Sequence, residues 1–306
     1  MSTTALKIIA AVCMTLDHLN TFLGAPLPFR YIGRFAAVIF FFCAAEGAVH
    51  TIDRKQYLLR LYKMCLLMAG LSVVVPFALG GWFPGRNFPP VTNNIFTALV
   101  PGVWLIDILE TVKTEPEKGR KRLRNYILYQ IAVVPVGLLA VVIITETVPS
   151  TFINIPEQAV AAPFGSLFMS EGGIWLTVQI ILFYLWRDSK KKLAIGYLAY
   201  CAVYTAVMLP QLPARIFWFT NAHFLHYHML ISNCLGIFGL SKKEAVRPLS
   251  ESLLKYNFQC FMVFALPLLL LYNGKRGKSF KRFFYIYYPA HIYAFYLIRQ
   301  FVLQPK

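Results

Sequence analysis

The stretch Ala5-Leu6-Lys7-Ile8-Ile9-Ala10-Ala11-Val12-Cys13-Met14-Thr15-Leu16-Asp17-His18-Leu19-Asn20 decides the reading of this chain. Its apolar residues belong to a membrane span, which needs about 20 of them. Yet it places a carboxylate and an imidazole side by side near its middle. An Asp near mid-bilayer costs roughly 2.5–3.5 kcal/mol, so such groups face a bundle interior or a wet cavity and mark a candidate site of chemistry. The rest of the chain agrees. It is 58% hydrophobic and only 14% charged, where soluble domains carry about 25% charge. This predicts an all-α integral membrane protein, a polytopic bundle of about ten transmembrane helices forming one domain over residues 1–306.

Spans are expected near 5–24, 31–51, 57–80, 93–112, 125–148, 163–186, 193–210, 215–239, 257–273 and 281–303. The net charge of +17 does not indicate nucleic acid, because the basic residues lie in short connections between apolar runs. Basic clusters at 54–63, 113–124, 187–192 and 242–255 all fall on one side, which the positive-inside rule makes cytoplasmic, with both termini inside a plasma or bacterial inner membrane. One loop disobeys: Lys275, Arg276, Lys278, Lys281 and Arg282 fall outside by this count. Reading 215–239 as re-entrant only moves the conflict to 242–255. The N-terminus has neither a charged n-region nor a small-residue cleavage site, so the first run is expected to be a retained helix. Six scattered cysteines without a CxxC pair are read as free thiols.

His18 is the first candidate. Entering the bilayer near residue 4, the helix carries it about 21 Å, past the midplane, and a neutral imidazole suits general-base work. Asp17 diverges from it by about 100° around the helix, so it is expected to pair with a cation elsewhere, Arg34 for instance. The alternative for His18 is a buried, hydrogen-bonded packing residue. Glu46 and His50 are spaced i, i+4 and share a face. Asn94 and Thr97 open the fourth span, either as caps or as substrate contacts.

The C-terminal block runs Tyr272-Asn273-Gly274-Lys275-Arg276-Gly277, then Tyr285-Ile286-Tyr287-Tyr288-Pro289-Ala290-His291. A Gly-flanked basic turn offers N–H groups and cations to a phosphate or carboxylate, which makes Tyr272, Asn273, Gly274 and Arg276 candidates for binding a cosubstrate. An aromatic belt explains the tyrosines but not His291 deep in the last span. His223, His226 and His228 do not share one helical face and have no acidic companion, so no metal site is expected.

In this order and spacing, Leu6-Lys7-Ile8-Ile9-Ala10, Leu16-Asp17-His18, Ile32-Gly33-Arg34, Glu46-Gly47, Asn94-Ile95-Phe96-Thr97 and the ending Tyr272-Asn273-Gly274 with Tyr288-Pro289-Ala290-His291 resemble the TraX family of membrane acetyltransferases, nearly end to end. The chain departs from that pattern at Lys275 and around Phe77-Ala78-Leu79, which bears on the acceptor more than on the fold. The resemblance implies acetyl transfer from cytoplasmic acetyl-CoA to an amine or hydroxyl on a pilin-like peptide or an envelope glycan. His18 is then the general base or an acetylated intermediate, and His291 a second base or an acceptor-orienting group. Asp17 and Glu46 hold the cations, while Arg34, Asn94 or Tyr288 stabilises the oxyanion. The rival from another class is a proton-coupled transporter or flippase using the buried Asp, Glu and His. It predicts inverted repeats, and Asp17-His18 has no counterpart around 160–180. A purely structural partner in an envelope assembly ranks last, because it leaves the buried ionisable groups without a role.

Overall fold

The computed structural model describes residues 1–147, 156–210, 254 and 257–303, and every regular element among them is helical. In chain order these are α1 (Thr3–Leu23), α2 (Pro28–His50), α3 (Arg54–Trp82), α4 (Phe96–Thr114), α5 (Pro116–Thr147), α6 (Glu157–Ala161), a 3₁₀ turn at Ala162–Phe164, α7 (Gly173–Trp186) and α8 (Lys190–Met208). Then come a 3₁₀ stretch at Phe258–Ala265, α9 (Leu266–Leu270), α10 (Lys281–Ile298) and a π-helical end at Arg299–Leu303. Four of these, α1, α2, α3 and Pro116–Ile144 of α5, are long and apolar enough to cross a membrane. The described residues are thus all-α, with four helices suited by length and composition to cross a membrane, and they do not confirm the expected count of ten.

The helix limits follow from local chemistry. Ser2 Oγ accepts from Ala5 N–H at the start of α1, and Gly24, in the left-handed region at φ +71°, ends it by turning its N–H back to Asn20. Pro28 begins α2, where a missing N–H costs nothing. Asp53 and Ser189 cap α3 and α8. α2 is the central helix and mostly buried, whereas α5 is peripheral and mostly exposed. α1 lies tightly along α2 because a Cβ at Gly33 would overlap Asp17. Small residues allow such close approach where lipid supplies no hydrophobic drive between helices.

The basic clusters at 54–63, 113–124 and 187–192 mark one end of the bundle. There Asp107 Oδ1 accepts from Arg54 Nε (3.1 Å) and Oδ2 from Arg122 Nη2 (2.6 Å). Glu110 accepts from Lys113 (2.9 Å) and from the Tyr184 hydroxyl (2.6 Å), with Arg187 3.9 Å away. The disobedient loop joins this same end. Thr3 N–H and Thr4 N–H donate to Lys275 O and Arg276 O (2.9 and 3.1 Å), and Thr4 Oγ1 donates to Lys278 O (2.6 Å). At the opposite end, Arg299 Nη1 donates to Thr21 O (3.4 Å) and Arg86 donates to Gln300 O. α10 thus runs parallel to α1.

These contacts answer one open question and correct one expectation. The 274–282 loop, whose side the charge count left open, lies at the N-terminal end of the bundle with the clusters at 54–63, 113–124 and 187–192, whereas Leu254 O, within the 242–255 stretch, accepts from Tyr31 at the opposite end. The expectation of both termini on one side fails, because Leu303 lies at the other end from Thr3. The parity changes beyond α8. Tyr200 and Trp175 place the later part of α8 at the end opposite Ser189, while Phe258 packs under Arg30 and beside Tyr31 at that same opposite end. Residues 211–253, including the expected 215–239 span with His223, His226 and His228, lie outside the described residues. The 3₁₀ stretch and α9 then return in 13 residues, reaching about 24 Å because a 3₁₀ helix rises about 2.0 Å per residue.

The expected 163–186 span is also corrected. Its first part is irregular backbone folded against α3 and α5, and only Gly173–Trp186 is a helix. Irregular backbone at membrane depth must be satisfied by protein. Buried Gln130 does this, donating to Gly165 O (3.2 Å) and accepting from Leu167 N–H (2.8 Å).

Candidate functional site

α1 and α10 meet at two buried imidazoles. His291 Nδ1 lies 2.7 Å from Tyr287 O, and His291 Nε2 lies 2.7 Å from His18 Nδ1. A carbonyl only accepts, so His291 Nδ1 carries its proton and neutral His291 Nε2 is an acceptor. It accepts from His18 Nδ1–H. The network therefore assigns the lone pair of His18 to Nε2, the atom a general base needs.

Asp17 and Arg34 form an ion pair on the neighbouring face of α1, and Arg34 Nε also donates to Arg30 O (3.3 Å). This pair neutralises a charge that would be costly alone, and it keeps Asp17 apart from the imidazoles. Gly33 makes the pairing sterically possible.

On the basic side of the histidines lies a cavity of about 500 Å³, within the range typical of small-molecule sites. α1, α2, α3, the first turn of α4, α10 and the 272–280 turn enclose it. Lys7, Arg60, Arg276 and Lys278 bring cations to it, while Met14, Tyr287 and Tyr288 lie deeper. Neither histidine lines it. The Tyr287 ring stacks on His291 at 4.7 Å between centroids, and its hydroxyl meets Thr15 Oγ1. Tyr288 stands edge-on to His291 at 6.1 Å. A wall of tyrosine thus separates the cavity from the imidazoles.

The other expected residues divide between cavity and scaffold. Glu46, Tyr272, Gly274, Arg276 and Tyr288 line the cavity. Glu46 Oε2 lies 3.5 Å from His50 Nε2. Tyr272, on the loop after α9, has its phenol held above the usual tyrosine range by burial, so it stays a hydroxyl donor within reach of Glu46. Asn273 is internal to the turn, its Oδ1 accepting from Lys275 N–H (3.1 Å). Asn94 and Thr97 do not reach the cavity. Asn94 Nδ2 donates to Cys65 O (3.0 Å), and Thr97 Oγ1 donates to Asn94 O (2.7 Å). Of the three expected oxyanion donors, only Tyr288 faces the cavity. Its oxygen accepts from Ile95 N–H (3.0 Å), which leaves its own proton to give.

Sequence reasoning missed Glu171, Tyr287 and the cations Lys7, Arg60 and Lys278. Glu171 Oε2 accepts from Asn94 N–H (2.5 Å), and its own N–H donates to Thr97 Oγ1 (2.8 Å). It braces the turn that leads into α4, whose N-cap residue Ile95 makes no side-chain hydrogen bond. Nothing in the sequence links Glu171 to Asn94. Tyr287, by contrast, sits four residues before His291, a spacing that puts both on one helical face.

No three His, Cys, Asp or Glu side chains converge as a metal site among the described residues. What the fold and site define is a helical membrane protein with a buried imidazole pair behind a cation-bearing cavity. Its family is shown by comparison: residues 2–209 match the TraX protein family, and the chain belongs to it. The matched range holds His18, Asp17, Arg34, Glu46, Asn94 and Thr97. The C-terminal block from Tyr272 to His291, part of the resemblance seen in the sequence, lies beyond it and joins the site through the fold. No curated protein and no solved structure matches the chain.

Proposed function

We propose that this protein is a membrane-embedded acetyltransferase. It moves an acetyl group from acetyl-CoA, held in the cavity at the basic end, to an acceptor amine or hydroxyl at or beyond the membrane. The observation that carries the reading is the Tyr287 O···His291···His18 chain behind a cavity whose cations suit the phosphates of CoA. Family membership supports it in general terms. The basic end is the cytoplasmic one on this reading, and the membrane is the plasma membrane.

His18 Nε2 takes the proton from the acceptor as its nitrogen or oxygen attacks the thioester carbonyl. The developing imidazolium keeps its Nδ1–H bond to His291, which orients His18 and spreads the new charge, the part a carboxylate plays in hydrolase triads. The Tyr288 hydroxyl donates to the tetrahedral oxyanion, and preorganised donors of this kind supply a large share of acyl-transfer catalysis. The intermediate collapses, the C–S bond breaks, and the departing thiolate of CoA takes the proton from His18 Nε2, which restores the neutral base. Arg276, Lys278, Lys7 and Arg60 hold the phosphates. Tyr287 must turn aside for the acetyl group to meet His18.

Radiolabelled acetyl-CoA binding and turnover by the purified protein test this. Specific binding with turnover that His18→Ala abolishes supports the reading. Well-folded protein that does not bind acetyl-CoA at millimolar concentration contradicts it.

A further inference from the structure

A second groove lies at the basic end between α3, α4 and α5, apart from the imidazole site. It encloses about 510 Å³. Lys55 and Arg122 stand at its mouth. Asp107 holds Arg122 and, through its other oxygen, Arg54, while Thr111 Oγ1 accepts from Arg122 Nη1 (2.7 Å). Two cations, Arg54 and Arg122, thus meet one carboxylate and are fixed in place, and Lys55 lines the groove without joining that cluster. The walls below are Leu58, Leu59, Val100 and Trp104.

The floor is protein. Tyr62 donates to Pro163 O (2.8 Å) and Tyr129 to Phe164 O, so the irregular segment after α6 closes the groove. Lys55 and Tyr62 are seven residues apart on one helix, which sets the depth at about 10 Å. The groove opens sideways past Leu59 and Tyr129, which are 41% and 37% exposed. Beside that opening the outward face of α5 presents Ile127, Leu128 and Ile131 to lipid.

We infer that this groove binds an anionic glycerophospholipid from the leaflet at the basic end. Its phosphodiester is held by Lys55 and Arg122, with Arg54 adding charge through its pair with Asp107, and its first methylenes lie over Leu59 and Trp104. The rest of the chain leaves along α5. Charge complementarity selects the headgroup: an excess of two positive charges attracts an anionic lipid and repels the ammonium of a zwitterionic one. Basic pockets between helices on the cytoplasmic side bind acidic headgroups for this reason, and aromatic side chains sit at the same level. The apolar walls and lateral opening select a lipid over a free phosphate.

The test is native mass spectrometry of the full chain in detergent, titrated with phosphatidylglycerol or with phosphatidylcholine of the same acyl chains. Lys55→Glu and Leu59→Trp serve as variants, because neither touches the Asp107 ion pairs. Their melting temperatures report that the fold is kept. The expected result is binding of phosphatidylglycerol about tenfold tighter than phosphatidylcholine, weakened about tenfold in each variant and not displaced by millimolar inorganic phosphate. Equal binding of the two lipids, unchanged binding in folded variants, or displacement by phosphate would overturn the inference.

Discussion

His18 Nδ1 and His291 Nε2 lie 2.7 Å apart across 273 residues of chain. The contact ties the first long helix to the last, and it fixes the tautomer of His18 through a carbonyl on α10. Removing the distal partner should therefore damage catalysis without emptying the cavity. In His291→Ala, turnover is expected to fall about 10²-fold, within the range for general-base assistance, while acetyl-CoA affinity stays within about twofold. Equilibrium binding beside single-turnover kinetics checks both halves.

Tyr287 is the wall between cavity and base. Tyr287→Ala opens it, and water should then compete with the acceptor. Acetyl-CoA hydrolysis in the absence of acceptor is expected to rise several-fold, measured as free CoA released by purified protein. A variant that hydrolyses no faster than wild type would show that the ring does not separate the two compartments.

The cations of the cavity should act in binding alone. Arg276→Ala is expected to weaken acetyl-CoA binding about tenfold, a typical value for one charge-assisted contact, with turnover at saturation unchanged. The loss should shrink at high salt, because the contact lies at a partly solvated mouth. Titration at two ionic strengths reads this directly.

Gly33→Ala should force α1 from α2, because its Cβ would overlap Asp17. Overpacking of this kind costs about 1–3 kcal/mol. A lowered melting temperature in detergent is expected, together with reduced acetyl transfer, since the same displacement shifts His18.

The two ends of the chain can be located chemically. A cysteine at Lys278 should react from the side that holds the N-terminus, and one at Leu303 from the opposite side. Membrane-impermeant thiol reagents applied to vesicles of known orientation decide this. The five native cysteines among the described residues are buried, which keeps the background low.

Much of the site was legible in the first helix. Asp17 and His18 are conspicuous because polar groups are costly in an apolar run, and Arg34 follows Gly33 on the next helix. The tautomer of His18 was not legible, because it depends on a carbonyl 269 residues away in sequence (Tyr287 and His18). Asn94 and Thr97 stand out in the sequence as polar residues at a helix start, readable as caps or as substrate contacts. Their partners, Cys65 O and Glu171, come from elsewhere in the chain, so spacing alone could not show that they bond to scaffold groups and do not line the cavity. Span counting failed at 163–186 because hydropathy cannot tell a helix from irregular backbone satisfied by Gln130. It failed at the 274–282 loop for a similar reason: the side of a loop depends on the parity of every span before it. One misread segment inverts everything downstream.

The most direct test of the central claim compares wild type, His18→Ala and His18→Gln in one acetyl-CoA assay, with binding and transfer measured on the same folded samples. The account predicts that all three bind acetyl-CoA alike, while transfer falls by at least about 10²-fold in both variants. Transfer that survives in either variant would contradict the assignment of His18 as the base.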